Sequence, residues 1–175
     1  MHDNISGQQN TAVGRSANRS AKSGINNTYM GFEAGYNDSL TSNSVGIGHN
    51  ALRLSSNGQN TAVGSGALFI NSTGGSNVSI GYSSLSANTG GNLNTAVGIS
   101  SLGSNINGAN NTAIGALANV IIGNLSNTSA IGARATVAQS NALVLGSING
   151  INGATATVNV GIGINAPNTS SSLDV

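Results

Sequence analysis

The side chains that could carry acid–base or metal chemistry are few in this sequence and poorly placed for it. The acids are Asp3, Glu33, Asp38 and Asp174. Two lie near the chain ends, and Glu33 and Asp38 share one polar turn that reads as a solvated loop. A glycoside-cleaving pair needs one carboxyl held protonated and a second at a set separation, which two acids on a loop do not supply. His2 and His49 are too distant in sequence to share an ion within one chain. Three copies of His49 meeting on an axis would be the one route to such a site, and a surface histidine is the plainer reading. There is no cysteine, which removes disulfides and thiolate metal sites. Gly46-Ile47-Gly48 and Gly161-Ile162-Gly163 lack the helix that a phosphate-cradling loop requires. The expectation is a chain that is not an enzyme and has no cofactor or metal.

Five aromatic residues remain: Tyr29, Phe32, Tyr36, Phe69 and Tyr82. Tyr29, Phe32 and Tyr36 crowd into one segment beside Glu33 and Asp38. Such a cluster could stack on sugars or grip a protein receptor. The alternative is that Tyr29 and Phe32 fill space at an irregular turn. Arg15, Arg19 and Lys22 are three of the five basic residues and read as a solvated edge. The formal net charge is +1, so the chain as a whole is not expected to bind polyanions, nucleic acid included. No run of about 20 apolar residues is present, so membrane insertion is not expected.

What must position these residues is a repeat. A glycine closes a short β-compatible segment at Gly14, Gly31, Gly48, Gly64, Gly81, Gly98, Gly115, Gly132, Gly146 and Gly163, mostly 17 residues apart. The consensus is Asn-Thr-Ala-(Val/Ile)-Gly-x-x-(Ala/Ser)-Leu, followed by a polar stretch with Asn and Gly. Charged residues are only 5%, against about 25% in ordinary domains. Disordered linkers have no reason to keep Val or Ile in phase over ten periods. The register predicts stacked equivalent turns: an all-β parallel solenoid, or β-roll, of about ten turns with a period near 17 residues. At about 4.8 Å per turn its length is roughly 50 Å.

Alternation divides each strand into two faces. The larger residues are expected inside: Val13, Ile47, Val63, Ile80, Val97, Ile114 and Ile131, joined by Leu52, Leu68, Leu85 and Leu102 from the return strand. The small column between them, Ala12, Ala62, Ala96, Ala113 and Ala130, is then expected outside. A solvated face would carry long polar side chains, so an all-small column points to close approach of another chain. A roll this thin buries too little per turn to offset the ordering of its backbone. Both arguments predict a homo-oligomer. Residues 1–9 form a lead-in, 10–146 the repeat roll, and 147–175 an exit toward a further C-terminal domain.

The Asn-(Ser/Thr)-x-(Val/Ile)-Gly repeats with following Ala-Leu resemble the head repeats of trimeric autotransporter adhesins and the repeat arrays of tail-fibre proteins. The stretch from Val160 to Pro167 and on to Val175 resembles a linker that precedes a chaperone domain in tail fibres. The resemblance implies a left-handed roll, three chains forming one rod, an extracellular place on a virion tail or bacterial surface, and attachment to a glycan or protein receptor. Two other readings stand beside it. An ice-binding or lattice-binding solenoid is suggested by Thr11, Thr28, Thr61, Thr95 and Thr112. Their sharing a face with Val and Ile, expected to be internal, counts against it, as do the interruptions at Val45 and Val78. A glycan-cleaving solenoid is disfavoured by the shortage of acids.

Overall fold

The computed structural model describes residues 3–38, 40–161 and 173–174. The described residues form a parallel β-solenoid without a helix. Its strands are β1 (Thr11–Val13), β2 (Thr28–Met30), β3 (Val45–Ile47), β4 (Thr61–Val63), β5 (Val78–Ile80), β6 (Thr95–Val97), β7 (Thr112–Ile114), β8 (Asn119–Val120), β9 (Ser129–Ile131), β10 (Thr136–Val137), β11 (Leu143–Leu145), β12 (Val160–Gly161) and β13 (Leu173–Asp174). Nine of them stack in one parallel sheet, β1 to β7 in sequence and then β9 and β11. Each residue lies over its equivalent one turn earlier: Thr95 over Val78, Ala96 over Ser79, Val97 over Ile80.

The expected tenth rung does not join this sheet. Val160 and Gly161 pair with Leu173 and Asp174 instead. Ile162, Gly163 and Pro167, on which the last turn and the exit segment were read, lie outside the described residues.

The two strand faces are the reverse of the sequence expectation. The small column is the interior: Ala62, Ala96 and Ala113 are fully buried and Ala130 is 1% exposed, while Ala12 in the first rung is half-buried. The large column points out: Val13, Ile47, Ile80, Ile114 and Ile131 are 37–51% exposed, and Val63 and Val97 are half-buried. The reason is the thinness of the coil. The return segment places Ala51, Ala67 and Ala118, then Leu52, Leu68, Leu85 and Leu102, directly beneath the sheet, and all are fully buried. One leucine per turn fills that gap, leaving room for only a small side chain from the strand. The alanines are therefore packed within one chain and cannot be an inter-chain surface.

The return segment is also not the second strand expected in every turn. Leu52, Leu68, Leu85 and Leu102 sit at φ of 47–54°, in the left-handed region. That conformation costs a β-carbon-bearing residue roughly 1 kcal/mol or more, and it is what aims the leucine inward. The backbone still bonds to the next turn, with Leu85 N donating to Ser101 O at 2.9 Å. Among the described residues, the return straightens into a strand pair only at β8 with β10, late in the array. There Val120 and Val137, one position later than the leucines, take over the filling role.

Two features close the corners. Gly81 adopts φ of 132°, and a β-carbon on it would lie 2.5 Å from the Gly98 carbonyl oxygen of the next corner. The stacked corners thus require glycine for both conformation and space. On the other side of the strand the repeated Asn is buried and bridges turns. Asn94 N donates to Asn77 Oδ1 and Asn111 N to Asn94 Oδ1, each at 2.9 Å. Asn77 Nδ2 donates to Gly91 O at 2.9 Å and Asn94 Nδ2 to Gly108 O at 2.8 Å. Each amide pairs backbone groups that the tight turn would otherwise leave buried without partners.

Tyr29 is the exception that confirms the size limit. It occupies the small column yet is fully buried. Its own turn carries Gly35 where others carry leucine, and the next rung carries Gly46 where others carry alanine. A β-carbon on Gly46 would meet the Tyr29 ring at 2.8 Å, and one on Gly35 at 2.6 Å. The ring takes the leucine's space. Gly46 has no positive φ, so its constraint is steric alone. Gly46→Ala is expected to lower stability by about 1–3 kcal/mol through overpacking. In a Tyr29→Ala background the same change should cost little. Denaturant unfolding of the four-variant cycle measures this, and additive effects would refute the packing relation.

Candidate functional site

Two surfaces and one buried carboxyl stand out. The first surface is the outer face of the nine-stranded sheet. Thr11, Thr28, Val45, Thr61, Val78, Thr95, Thr112 and Ser129 form one column. Two residues on, Val13, Met30, Ile47, Val63, Ile80, Val97, Ile114, Ile131 and Leu145 form the other. Because strands repeat in register, the result is a continuous stripe of aliphatic side chains bordered by hydroxyls and further aliphatics. Contiguous apolar surfaces of this kind mark interaction sites.

The second surface is built by the return segments of the N-terminal turns. Arg19, Tyr36, Arg53 and Phe69 fall in one column, each one turn from the last. Arg19 Cζ lies 5.7 Å from the Tyr36 ring centroid, and Arg53 Cζ lies 5.3 Å from Tyr36 and 5.8 Å from Phe69. Arg19 Nη1 also donates to the Tyr36 hydroxyl at 3.2 Å. A neighbouring column, beginning just after the corner glycine, holds Arg15, Phe32 and His49. Arg15 Cζ is 5.6 Å from the Phe32 centroid. His49 stacks on Phe32 at 5.5 Å with 14° between planes, and its Nδ1 is 3.4 Å from Ser65 Oγ. Cation–π contacts at exposed sites contribute about 0.5–1 kcal/mol each. Glu33 joins this surface through Arg53, Nε to Oε2 at 2.6 Å.

Of the three aromatic residues expected at a receptor surface, Phe32 is exposed and Tyr36 half-buried, both within these columns. Tyr29 is not among them, being core for the reason given above. The sequence reading missed Arg15, Arg19, His49, Arg53 and Phe69 as members. Their spacing was the available signal, since each follows a corner glycine by one residue or by five.

Glu33 and Asp38 do not share a solvated loop as expected. Asp38 is buried. It lies in the column that holds Ser55, Asn71, Asn88 and Asn105 in later turns, where Asn88 Nδ2 donates to Asn71 Oδ1 at 2.9 Å and Asn105 Nδ2 to Asn88 Oδ1 at 2.8 Å. The Thr41 hydroxyl and amide both donate to Asp38 Oδ1, while Oδ2 is buried without a partner. Burial pushes the carboxyl up to about 7, against the lowering effect of the Thr41 hydrogen bonds. His2 lies outside the described residues. Among the described residues, no group of three or more His, Asp or Glu side chains is placed to hold a metal ion.

Protein-family models, curated proteins and solved structures offer no match to this chain.

The buried carboxyl gives a signed expectation. In the unfolded chain Asp38 ionises near 3.8, and in the fold near 7. Between those values the native state holds a proton that the unfolded state has released. Stability therefore falls as pH rises from about 4 to about 7 and stays low above that. Asp38→Asn restores the side chain that later turns use at this position. It is expected to remove the slope and to stabilise the fold at pH 8 by on the order of 2–4 kcal/mol. Denaturant unfolding at pH 4, 6 and 8 checks this, and an unchanged pH profile would contradict it.

Proposed function

We propose that this chain is a structural fibre segment, a stiff solenoidal rod that assembles side by side with copies of itself and supports attachment to a surface receptor. The observation that carries the reading is the aliphatic stripe Val13, Met30, Ile47, Val63, Ile80, Val97, Ile114, Ile131 and Leu145, exposed or half-buried on the outer face of the sheet. A thin coil hides one leucine-sized side chain per turn, and a second large aliphatic in every turn needs cover from elsewhere. A copy of the same chain supplies a matching stripe at the same rung spacing, so closed symmetry about a shared axis buries all copies equally. The repeat resembles trimeric adhesin heads and tail-fibre arrays, which supports three chains per rod and an extracellular place on a virion tail or bacterial surface. Near-neutral charge removes the repulsion that would keep such faces apart.

A second reading gains from the orientation of the sheet. Thr11, Thr28, Thr61, Thr95 and Thr112 point outward with the aliphatic column, so the objection that they lie inside no longer holds. A Thr/Val face repeating in register at the rung spacing is suited to an ordered lattice such as ice. Val45, Val78, Ser129 and Leu143 still interrupt the threonines.

Light scattering separates the two. The fibre reading expects the mass of three 17.1-kDa chains. Ile80→Glu on the outer face should yield a folded single chain, because the Ala and Leu columns within the coil are untouched. A wild-type monomer showing thermal hysteresis would favour the lattice reading, and an unchanged oligomer in Ile80→Glu would place the interface elsewhere.

A further inference from the structure

We propose that the two arginine–aromatic columns form a docking surface for an extended acidic polysaccharide, one bearing a carboxylate on alternate sugar units. This deepens the attachment role above and rests on it, but the surface lies within one chain and does not need the assembly.

The first observation is alternation. One column runs Arg19, Tyr36, Arg53, Phe69; the other runs Arg15, Phe32, His49. The two arginines of the first column, Arg19 and Arg53, are therefore two rungs apart, about 10 Å at the strand spacing of a sheet. That spacing discriminates among polyanions. Duplex DNA offers a phosphate every 3.4 Å along each strand. An extended acidic peptide presents same-side carboxylates about 7 Å apart. An extended polysaccharide with an acid on every second pyranose has a charge repeat close to two rungs.

The second observation is what the stacking does to each group. Tyr36 is flanked by Arg19 and Arg53, and Phe32 by Arg15 and His49, so the ring faces are already covered. Unpaired bases bind proteins chiefly by stacking on open aromatic faces, and these rings offer few. What the rings do is hold guanidinium planes in fixed orientation. A pre-positioned guanidinium edge is a two-pronged donor matched to a carboxylate, and fixing it in advance lowers the entropy lost on binding. Glu33 engages the Arg53 Nε edge, which leaves the surface only moderately cationic. A sparse polyanion tolerates that better than a dense one.

Calorimetry tests the proposal at low salt with four probes: a hyaluronate octasaccharide, a neutral cello-oligosaccharide, dextran sulfate and an oligothymidylate. The expected result is salt-sensitive binding of hyaluronate, none of the neutral sugar, and weaker binding of the oligonucleotide. Arg19→Gln and Arg53→Gln should each weaken hyaluronate binding about tenfold, and Phe69→Ala severalfold. Arg134→Gln, which lies outside both columns, should leave it unchanged. Circular dichroism establishes that each variant keeps the fold, and scattering on the same samples reports the assembly separately. Absence of hyaluronate binding by folded protein would overturn the proposal. So would tighter binding of oligothymidylate, equal binding of dextran sulfate, or an effect of Arg134→Gln equal to that of Arg19→Gln.

Discussion

Each turn of this solenoid has room inside for one large side chain, and most other features follow from that limit. Where the return segment supplies leucine, the strand above it supplies only a small residue: Gly46 with Leu52, Ala62 with Leu68, Ser79 with Leu85 and Ala96 with Leu102. Where the strand supplies a ring, at Tyr29, the leucine and the next alanine become glycine. The leucines adopt left-handed backbone to reach the gap at all. A residue too large for the inside, and repeated every turn, must face out, which is how a sheet of such apolar strands comes to carry its Val and Ile on the surface.

The same narrowness makes buried polar groups structural. The corner asparagines lie within the coil because no apolar side chain could both fill that space and satisfy the backbone of a turn this tight. Their amides join one turn to the next, so cohesion runs along the axis through hydrogen bonds as much as across it through packing. Asp38 occupies an analogous position with the wrong end group. Its second oxygen has no donor, and the carboxyl responds by holding its proton to about pH 7. A single atom's change of chemistry in a stacked column is enough to make the fold sensitive to pH.

Much of the architecture was legible in the sequence. The glycine register identifies the stacked parallel turns, because only equivalent corners need the same residue at the same interval. Alternation likewise separates Ala96 from Thr95 and Val97. What alternation does not encode is which face is inner. Side-chain size suggested Val97, and the width of the coil decided for Ala96. The clue lay in the return segment, where a small residue and Leu recur together: one interior leucine per turn leaves no place for a valine opposite. The Tyr29, Gly35 and Gly46 exchange is visible once residues are aligned by turn. So are the arginine–aromatic columns, which were overlooked because neighbours 17 residues apart look unrelated when read along the chain. The burial of Asp38 was hidden for a different reason. Asp38 and Asn71 each follow their corner glycine by seven residues, so the register does align them, but an Asp within a polar stretch gives no sign that the position is interior.

The orientation of the sheet can be measured directly, since the chain has no cysteine of its own. Single Ala96→Cys and Val97→Cys variants, treated with a soluble thiol reagent as assembled protein and as dissociated chain, report each face. The account predicts that the thiol at 96 stays unreactive in both states, while the thiol at 97 reacts in the dissociated chain and is shielded on assembly. Rapid modification at 96 with protection at 97 in the isolated folded chain would mean that the aliphatic column is internal after all.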